Sequence, residues 1–176
     1  MNPKELSFDQ EGRDKLLNGI TQISKAVKST LGPLGKTVLI ESPNHRGGIT
    51  ITKDGVTVAK SIDLEDSVEN LAITMMKEAA DRTATSAGDG TTTAIVLTEA
   101  IVKEGMRLIQ RNPEINTTQL IRDIKSHSEE VIKSLSSSSK KVTGKTLRDV
   151  ATISANNDPV LGKMIASAYK ELGLSL

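Results

Sequence analysis

Apolar residues recur at the three- and four-residue spacing of a helix along four separate stretches of this chain, and this pattern limits the fold more than any other feature. Leu16, Leu17, Ile20, Ile23 and Val27 share one stripe of a helix expected over residues 9–30, which the glycine and proline of "LGPLG" then end. Val68, Leu71, Ala72, Met75, Met76, Ala79 and Ala80 form the apolar face of a second helix, and Ile95, Val96, Ala100, Ile101 and Leu108 that of a third. A fourth, expected over residues 117–135, turns Leu120, Ile121, Ile124, Val131 and Ile132 inward. Phe8 and Tyr169 are the only aromatic residues, so the core must be built from aliphatic side chains.

Between the first two helices the period changes. "KTVLIES" and "ITITKDG" are rich in β-branched residues and flank the turn-forming "PNHRGG", which predicts a small hairpin over residues 37–53 with His45 and Arg46 solvated at its tip. Further on, "SSSSKK" at 136–141 offers nothing to bury and reads as a linker or domain edge. Two shorter helices are expected around 145–153 and 159–172. The fold class is mainly α, multihelical with one small β-hairpin. No internal repeat or long heptad run accompanies it.

A net charge of +1 with 26% charged residues leaves no polyanion-binding patch or acidic tail, so nucleic acid is not an expected partner. The chain has no cysteine, which removes disulfides, thiolate metal sites and cysteine nucleophiles together. His127 has no second histidine near it on its helix, so a metal role is not expected there. The start, "MNPKELSFDQEGR", lacks the apolar stretch of a signal peptide, and no run approaches the ~20 apolar residues of a membrane span. A cytoplasmic protein with no membrane partner is the expectation.

The stretch that points to chemistry is "AGDGTTTA", residues 87–94. Glycines at 88 and 90 permit backbone conformations and close approaches that a side chain would block, and three threonines stand where the third helix begins. A helix start exposes unpaired N–H groups and the positive end of the dipole, which stabilise phosphate oxygens. Asp89 would repel that phosphate unless a cation lay between them, which suits magnesium, and Thr91, Thr92 and Thr93 add hydroxyl donors. The same residue types also make an ordinary helix-to-helix turn with Asp or Thr as the N-cap. Lys53 and Asp54 of "TKDG", taken alone, equally suit a solvated turn.

Two familiar nucleotide motifs do not fit. "GKT" occurs at 35–37 and 144–146, but the first glycine of a P-loop is replaced by Thr30 in one case and Ser139 in the other. "GDGTTT" ends in Thr93 where a dinucleotide fingerprint needs Gly or Ala, and a helix rather than a strand precedes it.

Four segments nevertheless occur together in order: "TLGPLGK" at 30–36, "ITKDGVTVAKSIDLEDSVEN" at 51–70, "AGDGTTTAIVLTEAIVKEG" at 87–105 and "TISANND" at 152–158. In that combination the chain resembles the group I chaperonins, the GroEL family, from near Phe8 to past Gly162. The resemblance implies residues 1–135 as the amino-terminal half of an ATP-binding equatorial domain and 136–176 as the incomplete start of an intermediate, hinge domain. It further implies that Thr30, Leu31, Gly32 and Pro33 line the nucleotide pocket. Lys53 would lie near the γ-phosphate as a charge or as part of an ion site, with potassium the candidate ion. Asp54 would position the attacking water. Asp89 would ligate magnesium, Gly90, Thr91, Thr92 and Thr93 would hold the phosphates, and "TISANND" would lie on the hinge side of the pocket.

By the same resemblance the hairpin extends a sheet into a neighbouring subunit of a homo-oligomeric ring, and the function is that of an ATP-hydrolysing chaperone that folds and refolds other proteins. Full subunits of that family are much longer. The apical domain that holds unfolded protein and co-chaperonin, the returning intermediate segment with a second catalytic Asp, and the other equatorial half have no counterpart in this sequence. A fragment of an ATP-dependent chaperonin is therefore the first expectation. A short structural or regulatory subunit that co-assembles with other chaperonin chains, and an inactive remnant, are the alternatives.

Overall fold

The computed structural model describes residues 5–32, 34–41, 48–142 and 144–173. The hairpin tip with His45 and Arg46, and Pro33 of the expected pocket, lie outside them. Seven helices and two strands run in the order α1 (Asp9–Lys28), β1 (Val38–Glu41), β2 (Ile49–Thr52), α2 (Gly55–Lys60), α3 (Ser67–Ala87), α4 (Thr91–Arg111), α5 (Thr117–Ser138), α6 (Gly144–Ser154) and α7 (Pro159–Glu171) among the described residues. They divide into two compact units, residues 1–115 and 116–176.

In the first unit α1, α3 and α4 pack on one another and the short α2 packs against all three. Their aliphatic stripes meet in a core of Ile23, Val27, Val58, Ala59, Ile73, Met76, Ala80 and Ile95. Ile23, Val27 and Ile73 have no exposed surface. Burying each such side chain contributes roughly 1.5–3 kcal/mol, which is where aliphatic periodicity becomes stability. Coverage is incomplete: Leu71 and Met75, expected on the inner face of α3, are exposed, as are Ile101 and Leu108 of α4. An apolar groove of about 410 Å³ runs among α1, α3 and α4, bordered by Leu16, Leu17, Met75, Val102 and Met106.

The expected hairpin is an antiparallel pair with Val38 opposite Thr52, Leu39 opposite Ile51, Ile40 opposite Thr50 and Glu41 opposite Ile49. Val38 and Ile40 lean on the core, while Leu39, Ile49 and Ile51 face outward. Immediately after β2, where the sequence suggested only a turn, the chain forms α2. Asp54 starts it by accepting from the Val56 and Thr57 N–H groups.

In the second unit α5 continues through Ser138, so the serines expected as a linker at 136–141 are partly helical. No residue of α5 is buried, and Ile121, Val131 and Ile132 are exposed rather than inward, because α6 and α7 pack on each other rather than on α5. Asn156 and Asn157 adopt left-handed conformations (φ 56° and 63°) in the turn between α6 and α7, where asparagine is the least strained side chain. Asp158 caps α7, and Pro159 stands in its first turn.

Candidate functional site

The loop between α3 and α4 is built by two left-handed glycines. Gly88 (φ 75°) ends α3 and Gly90 (φ 94°) is the N-cap of α4. The cap is thus neither Asp89 nor a threonine, and among the described residues no side chain bonds to the first amides of this helix of 21 residues. Those N–H groups and the positive end of the dipole are left facing the loop, as an anion requires. Asp89 is exposed, and one of its oxygens accepts from the Gly90 N–H at 2.6 Å. The other carboxylate oxygen makes no hydrogen bond among the described residues. Thr91 is buried, Thr92 half-buried and Thr93 exposed, so the three hydroxyls sit at graded depth on one helical turn.

The "TKDG" segment meets this turn directly. A Cβ on Gly55 would collide with Thr92 Oγ1 and lie 3.4 Å from Val27 Cγ1, so the start of α2, the start of α4 and the last turn of α1 come together around a residue with no side chain. Sequence reasoning singled out Asp54 and passed over Gly55. The signal available was its place directly after Asp54 in a segment that had been read as a turn. Asp54 itself is held as the α2 cap: Oδ2 accepts from the Thr57 N–H at 2.9 Å and the Thr57 hydroxyl at 2.6 Å, while Oδ1 has only a 3.3 Å bond from the Val56 N–H. Partial burial works against its charged form, but the Thr57 and Val56 hydrogen bonds and the Lys60 charge outweigh it and hold the carboxyl below the usual carboxylate range. Asp54 is therefore ionised at neutral pH, with one lightly used oxygen. Lys53 is exposed beside it.

After α1 the chain turns tightly. The Thr30 N–H donates to Val27 O and the Leu31 N–H to Lys28 O, each at 3.1 Å, and the Lys36 N–H returns to Ser29 O at 2.7 Å. The Thr30 hydroxyl is committed to Val27 O at 2.8 Å. Leu31 and Gly32 are exposed on the turn, with Gly32 in the left-handed region (φ 76°). No hydrogen bond or ion pair joins Asp89 to Lys53 or Asp54 among the described residues. Nor does any group of three His, Asp or Glu residues there form a metal cluster. A cation at Asp89 would take one protein carboxylate and fill its shell from phosphate and water, the usual arrangement for magnesium. With uncapped amides, hydroxyls and a single adjacent carboxylate, the donor set fits a magnesium-bound phosphate chain.

The model of the TCP-1/cpn60 chaperonin family matches residues 23–173, most of the chain. This chain belongs to that family. Among solved chaperonins, gp146 from the bacteriophage EL 2 (Pseudomonas aeruginosa), crystallised in the presence of ATP-BeFx, superposes with a TM-score of 0.76 at 33% identity over 91% of this chain. A second crystal form of gp146 gives 0.75 at 32% identity over 92%. A group III chaperonin in the open state shares the fold, with a TM-score of 0.77 at 22% identity over 93% of this chain and 32% of its own. The chain spans only 28% of the length of gp146. No helix among the described residues of this chaperonin-family chain is long and apolar enough to cross a membrane.

Proposed function

We propose that this chain is the amino-terminal, nucleotide-binding part of an ATP-dependent chaperonin subunit that assists the folding of other proteins. The observation that carries the reading is the meeting of "TKDG" and "GDGTTT" at Gly55 and Thr92, beside the uncapped start of α4, in a chain of the chaperonin family. The presence of ATP-BeFx in crystals of the related gp146 supports it.

In this reading residues 1–135 form half of an equatorial domain and 136–176 begin an intermediate one. The amides of Gly90, Thr91, Thr92 and Thr93 hold phosphate oxygens, and Thr30, Leu31, Gly32 and Pro33 are the residues proposed to line the nucleotide pocket. Asp89 holds magnesium, and Lys53 adds positive charge or completes a potassium site. Magnesium, when bound, offsets the charge that builds up on the phosphates. Asp54, ionised and with Oδ1 lightly used, orients the attacking water, so that catalysis consists of placement and charge stabilisation. The hairpin is a two-stranded sheet among the described residues, so its strands keep unpaired edges that suit pairing with a neighbouring subunit in a ring. Its apolar outer face gives such a contact surface to bury. Unfolded proteins and a co-chaperonin would engage parts of the subunit outside this chain, and the cytoplasm is the proposed compartment.

The test is calorimetric titration with ATP, with and without magnesium, alongside light-scattering mass, on the chain alone and mixed with an intact chaperonin. Magnesium-dependent binding in a ring-sized assembly is expected. Absence of nucleotide binding in every assembled form overturns the reading.

A further inference from the structure

Glu99 is a buried carboxylate to which the nucleotide-site reading gives no role. It lies on α4, eight residues beyond Thr91, and only 4% of its surface is exposed. A carboxylate so deeply buried is costly unless charged partners reach it. Two do. Lys103, one turn further along the same helix, donates to Oε1 at 2.7 Å, and Lys28 of α1 donates to Oε2. Burial disfavours the charged form of Glu99, but these two lysines more than compensate and hold its carboxyl below the usual range.

The two partners are not equivalent. Lys103 could answer the charge from within α4, whereas Lys28 ties α4 to another helix. Lys28 is the last residue of α1, and its carbonyl accepts the Leu31 N–H at 3.1 Å in the turn that carries Thr30, Leu31 and Gly32. One residue therefore links the body of α4, whose start supplies Thr91, Thr92 and Thr93, to the turn at the end of α1. The exposures are also uneven: the Glu99 side chain is 6% exposed, against 45% for Lys28 and 42% for Lys103. A lysine released by loss of the carboxylate returns to water at little cost, whereas loss of Lys28 leaves Glu99 to Lys103 alone and so costs stability as well as the tie between the helices.

We propose that Glu99 is a positioning residue for nucleotide binding, which acts through Lys28 to fix the turn after α1 relative to the start of α4. This rests on the nucleotide-site reading above.

The test compares K28M, E99L, the double variant K28M/E99L and K103M in the assembled full chain. It reads MgATP affinity, nucleotide-free Tm and hydrogen exchange at the Leu31 amide. K28M and E99L should each weaken MgATP binding about tenfold, and the double variant should be no worse than either, as expected for residues acting as one unit. Leu31 should exchange faster in all three, and in E99L and the double variant, which leave no buried carboxylate, Tm should stay within ~3 °C of wild type. K103M, which keeps the interhelix tie, should match wild type in affinity and exchange. If E99L does not fold, the nearly half-exposed Lys28 still gives the answer through K28M. Wild-type affinity and Leu31 protection in K28M, an equal loss in K103M, or losses that merely follow Tm would overturn the inference while leaving the nucleotide site standing. A wild-type chain that binds no MgATP overturns the nucleotide-site reading, and this inference with it.

Discussion

Gly55 lies against Thr92 so closely that a Cβ on it would collide with the threonine Oγ1, which places the first residue of α2 on the first turn of α4. Gly55→Ala should therefore force the two helices apart, at a cost of about 1–3 kcal/mol, the range for overpacking a filled contact. Thermal denaturation should show a lowered Tm, and MgATP affinity should fall with it because Thr92 is displaced. A fully stable variant with wild-type affinity would mean that this contact does not organise the site.

Among the described residues Asp89 has one carboxylate oxygen without a hydrogen bond, beside a helix start that no side chain there caps. Asp89→Asn should weaken magnesium-dependent nucleotide binding by roughly 10- to 100-fold while leaving weak metal-free binding intact, because the phosphate-facing amides remain. Calorimetry with and without magnesium separates the two components. Unchanged metal dependence would remove Asp89 as the ligand.

Asp54 caps α2 and is the candidate for orienting water. Asparagine is also a good N-cap, so Asp54→Asn should preserve the helix and nucleotide affinity while slowing hydrolysis by at least ~10-fold. Single-turnover hydrolysis measured beside binding checks this. A parallel loss of both would assign Asp54 to ground-state contacts.

Asp66 caps α3 and accepts from Lys15 Nζ at 2.9 Å. The Lys15 bond, with the amides of Glu69 and Val68, holds its carboxyl below the ordinary range. A carboxyl depressed in the folded state contributes stability above its unfolded pKa, and that contribution disappears as pH falls through the folded value. Tm should thus be flat near neutrality and fall below about pH 4, the usual aspartate range. Asp66→Asn, which keeps a cap but no charge, should fall less steeply over the same window.

Leu39 and Ile51 are register partners on the hairpin, 68% and 67% exposed. Ile51→Lys removes apolar surface from that face without touching the core. Light scattering should show loss of assembly mass while Tm changes little. A variant that assembles like wild type would place the subunit contact elsewhere.

The helices could be read directly because their cores are aliphatic and periodic: Ile23, Val27, Met76, Ala80 and Ile95 are buried where the spacing put them, although Ile73, which the expected stripe of α3 left out, is buried among them. The hairpin was equally plain, since β-branched runs flanked a turn-rich stretch. Which residues of α3, α4 and α5 stay exposed is not written in their periodicity, which says which side of a helix is apolar and not whether anything covers it. Helix α2 escaped notice because six residues are too few to show a period.

The amino-acid sequence alone determined the helical class, the hairpin, the clustering of Gly, Asp and Thr at 88–93, and the order of motifs that marks the family. Those features are local, written in spacing and residue type. Only the tertiary structure decided that Gly90 rather than Asp89 caps α4, that Gly55 meets Thr92, and that Glu99 reaches back to Lys28. The last two depend on how helices distant in sequence cross, and the cap on which backbone the loop between two packed helices can adopt, and neither is recorded in the spacing along one strand of sequence.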